Sequence, residues 1–570
     1  MPTYALEVAR EELVSGVRAV LGEPVDVTVT VPPPGVGADL AVPCFPLAAR
    51  LKKLPADVAR RLADHMRPMS LVAQPRADGG YLNVVLNRPA FAKAVMEDLS
   101  RLGERYGSWD SGGGRTVVLD VSSPNVARPM SVGHLRSTII GDALHRLFGF
   151  NGYTPVSVNH YADWGTQFGT LLYGMTHWLD REAYARAPIA ELLRLYVKFE
   201  QEAAQEPALR DEARGWALRL EQGEPEATRM WEEIVEHSLA EFRRIYDRLG
   251  VRFDSWRGES AYLEDSKAVI DEASRKGVAL EDQGALIVPL ADAGIETPLI
   301  LRTSDGRTVY HTRDVAAAIY RIRTYDPVLL LYVVGADQRL HFRQLFAVLK
   351  KLGYDGVDYA HVDFGMITLP EGRMSTRRGR VVFLDDVLDE AVARARQLVE
   401  KNPDLSDAEK DEIARIVGIG AIKYADLSQN RVRNIVFEWD RMLALDGDSA
   451  PYLQYTYVRA RGIMRKGTMA YPAGGIDARA TETGEEWALI THVARFPDAV
   501  RDAVRAYHPH VVANYLYHLA QAFHAFYHRV PVLQATDEGL RQSRMELVRA
   551  AAQVMQTGLG LLGIQVPERM

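Results

Sequence analysis

A short apolar run at residues 116–121 constrains the fold most, because a helical pattern and then a second strand follow it. The helical pattern starts near Val132 and stops at Gly149, and the next strand spans residues 154–158. A continuous apolar run is typical of a strand that is buried on both faces in a parallel sheet. Strand, helix and strand in this order predict a right-handed crossover and an open α/β sheet.

Three domains and one insertion are predicted around this unit. Residues 1–113 indicate a small α+β module, residues 114–388 the α/β domain, and residues 389–570 an all-helical domain. In the first module we expect an opening helix, a strand from the alternation at 25–31, a strand at 81–87 and a helix that reaches Leu102. The glycines at 112–114 are typical of a linker. A charge-rich helical insertion is predicted at about 170–255, and strands return at 285–288, 329–334 and 359–364.

The composition excludes several classes of protein. The chain has 68 Lys and Arg against 75 Asp and Glu, so its net charge of −7 excludes a globally basic nucleic-acid binder but not a local basic stripe. With Cys44 as the one cysteine, disulfide frameworks and cysteine-based zinc sites are excluded. We see no signal peptide and no apolar stretch of 18 residues, so we expect a cytoplasmic protein without a membrane span.

The charge is unevenly distributed along the chain. Residues 391–570 carry 22 Lys and Arg against 21 Asp and Glu, which leaves a net charge of −8 for the preceding residues. The same tail holds 6 of the 15 histidines and 9 of the 25 tyrosines. A near-neutral, aromatic helical domain is compatible with an anionic polymer, and its composition fits an ordinary helical bundle equally well.

The most informative motif spans residues 122–137, where the first α/β strand ends and a helix begins. Open α/β sheets bind ligands at this edge, and helix N-termini favour phosphate. Gly133 allows close approach to the backbone, and His134 can donate a hydrogen bond to a phosphate. Alone, the Gly-His pair is equally explained by a histidine that caps a helix.

The wider string resembles the His-x-Gly-His signature of class I aminoacyl-tRNA synthetases. Its Ser-Pro-Asn-x-Ala-Arg part, residues 123–128, is similar to the form found in arginyl-tRNA synthetases. Ser131 departs from the signature because it replaces the first histidine. The resemblance implies a Rossmann-like domain that binds ATP through Ser131, Gly133 and His134, with catalytic roles for His134 and Arg128. Residues 159–169 resemble the segment that follows in that family.

A second motif, residues 372–380, contains four arginines and resembles the Lys-Met-Ser-Lys-Ser loop of class I synthetases. Arg373 stands at the first lysine and Arg377 near the second. The resemblance implies a catalytic role for Arg373 and ATP contacts for Met374, Ser375 and Arg377. The planar fork of arginine suits phosphate oxygens, although an arginine-rich loop alone is more often a solvated surface.

An arginine substrate would need carboxylates and a planar partner for its guanidinium. Six residues match the positions that bind arginine in the family. By that resemblance, the first three contact the guanidinium and the others the ammonium and carboxylate: Glu259, Tyr310, Asp314, Asp120, Asn125 and Gln338.

The ends of the chain resemble the tRNA-binding parts of the same family. Residues 450–455, 513–524 and 546–549 are similar to the helical anticodon-binding domain. We expect anticodon contacts at Tyr527 and Met570, while Tyr81 and Asn83 match an amino-terminal module that touches the corner of the tRNA.

The implied activity is a two-step ligation of L-arginine to tRNA(Arg), through arginyl-adenylate, by a monomer. In the family, tRNA is needed even for activation. Mg²⁺ would arrive with ATP, and no protein-bound structural metal is predicted. Three alternatives stay open: another class I synthetase, a small nucleotidyltransferase, and a non-catalytic tRNA-binding relative.

Overall fold

The computed structural model of the 570-residue chain describes residues 3–33, 35–369, 372–373, 382–467 and 476–570. They form an amino-terminal α+β domain, an α/β domain with a helical insertion, and a largely helical carboxyl-terminal domain. This is the predicted fold class. The predicted boundaries at 113/114 and 388/389 stay predictions. Within these ranges, none of the helices has both the length and the apolar character needed to cross a membrane.

The amino-terminal domain has an antiparallel sheet in the order β1-β3-β2. The predicted strand at 25–31 is wrong. Only Thr30 of this segment pairs with the sheet, in a single bridge to Ala41, and the prolines that follow at 32–33 have no N–H with which to extend a ladder. The elements are α1 (Ala5–Leu21), β1 (Leu40–Pro43), α2 (Phe45–Leu51), α3 (Pro55–His65), β2 (Arg76–Asp78), β3 (Tyr81–Val84) and α4 (Arg88–Leu102).

The α/β domain is built on a five-stranded sheet in the order β11-β10-β4-β5-β6, in which every pair is parallel. The elements of its first half, including the predicted insertion (α6–α10), are β4 (Thr116–Asp120), α5 (Val132–Phe150), β5 (Thr154–Asn159), α6 (Gln167–Trp178), α7 (Arg181–Arg186), α8 (Pro188–Gln205), α9 (Leu209–Glu221), α10 (Pro225–Leu249) and β6 (Ser255–Trp256).

The second half returns to the other side of β4. The strand predicted at 285–288 is β8, which lies in a separate antiparallel sheet, β7-β8-β9. The elements are α11 (Leu263–Arg275), β7 (Leu280–Asp282), β8 (Ala285–Val288), β9 (Leu299–Arg302), α12 (Tyr310–Tyr325), β10 (Leu329–Tyr332), α13 (Arg339–Lys351) and β11 (Asp358–His361).

Strand β4 is buried on both faces, as its apolar run predicts. Val117 and Leu119 belong to the core that includes Ile139 of α5, whereas Val118 belongs to the core that includes Val315 of α12. The chain continues from β4 to β5 on one side and later places β10 on the other. The loops after β4 and β10 therefore diverge and leave a crevice, which is where open α/β sheets bind ligands.

The carboxyl-terminal domain is helical apart from one short strand among its described residues. Strand β14 (Ile435–Val436) pairs in parallel with β12 (Ile367–Leu369), and the predicted helical character of the domain is otherwise confirmed. The elements after β11 are β12 (Ile367–Leu369), β13 (Gly372–Arg373), α14 (Leu384–Val399), α15 (Asp407–Leu427), β14 (Ile435–Val436), α16 (Trp439–Met442), α17 (Ala450–Lys466), α18 (Gly484–Ala494), α19 (Phe496–Ala506), α20 (His510–Arg529) and α21 (Glu538–Leu561).

The first and last domains contact each other directly. The Arg10 guanidinium pairs with Asp498 at 2.6 Å, and the Trp487 indole N–H donates to Asp39 at 2.8 Å. These contacts join the two ends of the chain.

Candidate active site

Two adjoining clefts occupy the crevice between the loops that follow β4 and β10. One, the acidic cleft, has a volume of about 750 Å³ and is lined by Asp120, Glu259 and Asp314 among others. The second, the Gly-His cleft, has a volume of about 610 Å³ and is lined by Gly133 and His134 among others. Both are lined by Ser123, Asn125, Val334, Asp337 and Gln338.

The structure brings all six predicted arginine-binding residues to the acidic cleft. They come from four parts of the chain: the end of β4 and its loop, a short 3-10 helix at Glu259–Tyr262, the first turn of α12, and the turn after β10. Residues separated by more than 200 positions thus share one wall. The six are Asp120, Asn125, Glu259, Tyr310, Asp314 and Gln338.

Asp314 is held by two imidazoles. His341 Nε2 lies 2.9 Å from Asp314 Oδ2, and His160 Nε2 lies 3.5 Å from Oδ1. Burial alone would raise the pKa of Asp314, but its interactions with His160 and His341 outweigh it and hold that pKa well below its usual range. Asp314 is therefore a carboxylate at neutral pH, with lone pairs left for a ligand.

Asp120 and Glu259 have arginine partners. Arg321 Nη1 lies 2.8 Å from Asp120 Oδ2, and Arg313 Nε donates to Glu259 Oε2 at 3.0 Å. The Arg321 and Asp120 side chains are almost completely buried, at 2% and 7% exposed. Sequence reasoning missed both arginines, as well as His160 and His341, although Arg313 directly precedes Asp314.

The cleft suits a ligand that carries cationic groups at both ends. Asp314 and Glu259 offer carboxylate oxygens to a planar fork, as bidentate recognition of a guanidinium needs. Tyr310, half exposed, adds a ring that lies 3.9 Å from the ring of His311. Burial, the neighbouring His341 and an opposing effect of Asp314 leave the pKa of His311 at about 4, so the imidazole stays neutral at pH 7.

The Gly-His cleft receives the N-terminus of α5. The Ser131 backbone N–H donates to His134 Nδ1 at 3.1 Å, so in the neutral ring Nδ1 accepts and Nε2 carries the proton. Burial lowers the pKa of His134, which favours this neutral form. The ring is a hydrogen-bond donor without a fixed positive charge, at a helix terminus that attracts anions.

The loop between β4 and α5 is strained. Ser122, Ser123 and Ala127 have φ angles of 76°, 50° and 64°, which is uncommon outside glycine. The Ser137 hydroxyl accepts a hydrogen bond from the Ser122 N–H at 2.8 Å, and the Ser122 hydroxyl lies 2.6 Å from that of Tyr246. Strain of this kind concentrates at functional sites.

The other predicted phosphate contacts are Arg128 and residues of the arginine-rich loop, and Arg128 is not among the described residues that line the Gly-His cleft. The guanidinium carbon of Arg128 lies 4.5 Å from the centre of the Tyr196 ring in the insertion, so Arg128 would have to leave this ring to reach a phosphate. Arg373 lies in β13, which pairs with β12. The Arg373 side chain and the predicted residues Met374, Ser375 and Arg377 lie outside the described residues.

Comparison with known proteins identifies the family. Residues 99–439 match the family model described as "tRNA synthetases class I (R), catalytic domain". The chain belongs to the arginyl-tRNA synthetase family. Residues 7–86 match the arginyl tRNA synthetase N terminal domain, and residues 453–570 match the DALR anticodon binding domain.

Members of the arginyl-tRNA synthetase family are similar over the whole chain. An arginine--tRNA ligase of Chloroflexus aggregans is 44% identical over 100% of both chains, and one of Halothermothrix orenii is 41% identical over 96% of each. The solved arginyl-tRNA synthetase of Thermus thermophilus superposes with a TM-score of 0.84 at 26% identity, over 100% of both chains. The resemblance stated from the motifs is confirmed.

The four predicted tRNA contacts of this family member differ in exposure. Tyr81 is 44% exposed and Tyr527 is 38% exposed, so both rings are accessible. Asn83 is only 5% exposed, so the structure does not place its side chain on the surface that Tyr81 occupies. Met570 is partly buried and packs against the core of the tail.

The described residues contain no group of three or more His, Cys, Asp or Glu side chains that could hold a metal ion. Among those that line the Gly-His cleft, Asp337 is the one carboxylate. A single carboxylate does not make a protein cage for Mg²⁺, but it is typical of a site where the metal arrives on substrate phosphates.

Proposed function

We propose that this chain ligates L-arginine to tRNA(Arg) in two steps, with ATP converted to AMP and pyrophosphate. One observation carries the proposal: a cleft with four carboxylates adjoins a cleft with a helix N-terminus, and the two share Asn125 and Gln338. A cationic amino acid and a nucleotide bound in these clefts would meet at the shared wall. Family membership supports the same assignment.

Arginine binding is assigned to the acidic cleft. Asp314 and Glu259 would receive the guanidinium, with Tyr310 beside it. Asn125 and Gln338 line both clefts, and together with Asp120 they would orient the ammonium and the carboxylate.

In the first step the arginine carboxylate would attack the α-phosphate of ATP, and the bond to the leaving pyrophosphate would break. We assign no side chain as nucleophile or general base. The rate would depend on in-line placement and on donors aimed at the developing phosphate charge. His134 Nε2 is one such donor, and the Gly-His cleft holds Ser131 and Gly133 beside it. Arg128, Arg373, Met374, Ser375 and Arg377 stay proposed phosphate or nucleotide contacts.

Mg²⁺ is proposed to enter with ATP and to neutralise phosphate charge. In the second step a ribose hydroxyl at the end of the tRNA takes the arginyl group and AMP leaves. We propose Tyr527 and Met570 as anticodon contacts and Tyr81 with Asn83 as the corner contact, which for the buried Asn83 requires a local rearrangement. A cytoplasmic monomer is part of the proposal, and light scattering would test the oligomeric state.

The experiment is a charging assay with labelled arginine and purified tRNA(Arg). We expect ATP-dependent arginyl-tRNA, and no charging with lysine. A chain that binds tRNA(Arg) but forms no arginyl-tRNA would instead be a non-catalytic relative. The described acidic cleft supports the catalytic assignment, because tRNA binding alone has no use for a cluster of carboxylates beside a nucleotide cleft.

A further inference from the structure

One neighbour does most to keep Glu259 ionised. Burial raises the pKa of Glu259, and the Arg313 guanidinium opposes that effect most. The charged groups that face Glu259 are Arg313 and Asp314 from α12 and His160, which directly follows β5. Asp314 adds to the rise in pKa and His160 reduces it. Arg313 is thus the one permanent cation among them.

Arg313 contacts Glu259 from outside the acidic cleft. Its Nε donates to Glu259 Oε2 at 3.0 Å, and the two side chains are 10% and 19% exposed. Among the described residues that line the cleft, Glu259 is present and Arg313 is not. The cleft side of the carboxylate is therefore left for a ligand, and Arg313 does not take the ligand's place.

The backbone around Glu259 is fixed independently of Arg313. The Glu259 N–H donates to the carbonyl of Tyr161 at 3.1 Å. The N–H and hydroxyl of Ser260 donate to Asp163 at 2.8 and 2.6 Å. Removing Arg313 would therefore release the Glu259 side chain without releasing its main chain.

We propose that Arg313 is a positioning residue that keeps Glu259 ionised and directed into the acidic cleft. Glu259 in this state distinguishes a guanidinium from its neutral ureido isostere, because a carboxylate attracts the charged ligand far more than the uncharged one. This inference rests on the proposed function, since it takes arginine as the ligand of the cleft.

The test is the binding of arginine and of citrulline, the ureido analogue, to the full chain by calorimetry. Arg313→Met should raise the Kd of arginine about tenfold at pH 7, as expected for one weakened charge-assisted hydrogen bond, and change that of citrulline little. Glu259 would then be protonated at a higher pH. The loss of arginine affinity relative to the wild type should therefore grow as the pH falls to 6. It should shrink at pH 9, where Glu259 is ionised in both the wild type and the variant.

Two variants separate this role from packing. Arg313→Lys keeps the positive charge and should restore much of the arginine affinity and the pH profile. Arg323→Met is the matched control: Arg323 lies on the same helix, is 62% exposed, and pairs with Glu272 at 3.3 Å away from the cleft. The Arg323→Met variant should bind arginine with the Kd of the wild type. On a Glu259→Gln background, Arg313→Met should have no further effect on the Kd.

Three results would overturn the inference. Tighter arginine binding by Arg313→Met would show that Arg313 competes with the ligand, and equal losses for arginine and citrulline would show a packing role only. A pH profile that does not move would exclude control of Glu259. If Arg313→Met fails to fold, Arg313→Lys and Glu259→Gln decide: Glu259→Gln must reduce the preference for arginine over citrulline. Absence of arginine binding by the wild type would contradict the proposed function itself.

Discussion

The guanidinium of Arg136, on α5, forms a hydrogen-bonded ion pair with the carboxylate of Asp426, on α15. Nε lies 3.1 Å from both oxygens and Nη2 lies 2.9 Å from Oδ1, and both side chains are 1% exposed. Nη1 donates to the carbonyl oxygens of Gly365 and Arg433, at 2.7 and 2.9 Å. Because Gly365 lines the Gly-His cleft, this one side chain joins helix α5, the cleft wall and the carboxyl-terminal domain.

Arg136→Met should destabilise the protein strongly. It leaves Asp426 buried without a partner, a change that typically reduces stability by about 3–5 kcal/mol. The KM for ATP should rise more than the KM for arginine, because the wall of the Gly-His cleft loses its donor. Thermal unfolding and steady-state kinetics measure the two effects. Arg60→Met, which breaks an exposed pair with Asp57, should change stability by less than about 1 kcal/mol.

Asp314→Asn should raise the KM for arginine and leave the KM for ATP nearly unchanged, since the amide removes the charge that receives the guanidinium. A loss of about 100-fold in kcat/KM for arginine is consistent with one charged hydrogen-bonded contact. The control is Asp326→Asn, at the exposed end of the same helix. Equal losses for both substrates would remove Asp314 from the guanidinium pocket.

Ser131→His restores the family's first histidine and tests whether this chain needs it. The Ser131 N–H already fixes the His134 ring, and a backbone N–H is present in any non-proline variant. We therefore expect no gain in the rate of activation, together with a stability loss of about 1 kcal/mol from replacing a favourable helix N-cap residue. A rise of tenfold or more in rate would show that the missing histidine limits catalysis.

His524 should make the stability of the tail depend on pH. Burial, with Arg459 and His528 nearby, lowers its pKa to about 4 from 6.5. Between these values the unfolded chain binds a proton that the folded chain does not, so stability falls as the pH drops from about 6.5 to about 4. His524→Gln should reduce that slope in denaturation at several pH values. An unchanged slope in His524→Gln would contradict the assignment.

The sequence predicts the α/β core because its signal is local. The apolar run of β4 and the helix after it can be recognised within 35 residues, and burial on both faces follows from the run itself. The prediction of a strand from the alternation at 25–31 is wrong because that signal is also local. The alternation indicates which side chains are buried, but a strand also needs neighbouring strands with which its backbone can pair. In this segment only Thr30 has such a pairing.

Only those residues of the candidate site that lie within recognisable motifs could be predicted from the sequence. The resemblance located the six residues of the acidic cleft, but not the groups that set their charge. Arg313 meets Glu259 across 54 positions, and Arg136 meets Asp426 across 290. These pairs arise from the packing of α12 on a 3-10 helix and of α5 on α15. No local pattern encodes them, and an arginine in an amphipathic helix is ordinarily a solvated residue.

The central claim is that the two adjoining clefts activate arginine with ATP. The most direct measurement is isotope exchange between pyrophosphate and ATP, with arginine present and with or without tRNA(Arg). The account predicts arginine-dependent exchange that lysine and citrulline do not support, and, by family resemblance, that exchange should need tRNA(Arg). No exchange under either condition, from a folded chain that binds tRNA(Arg), would contradict it.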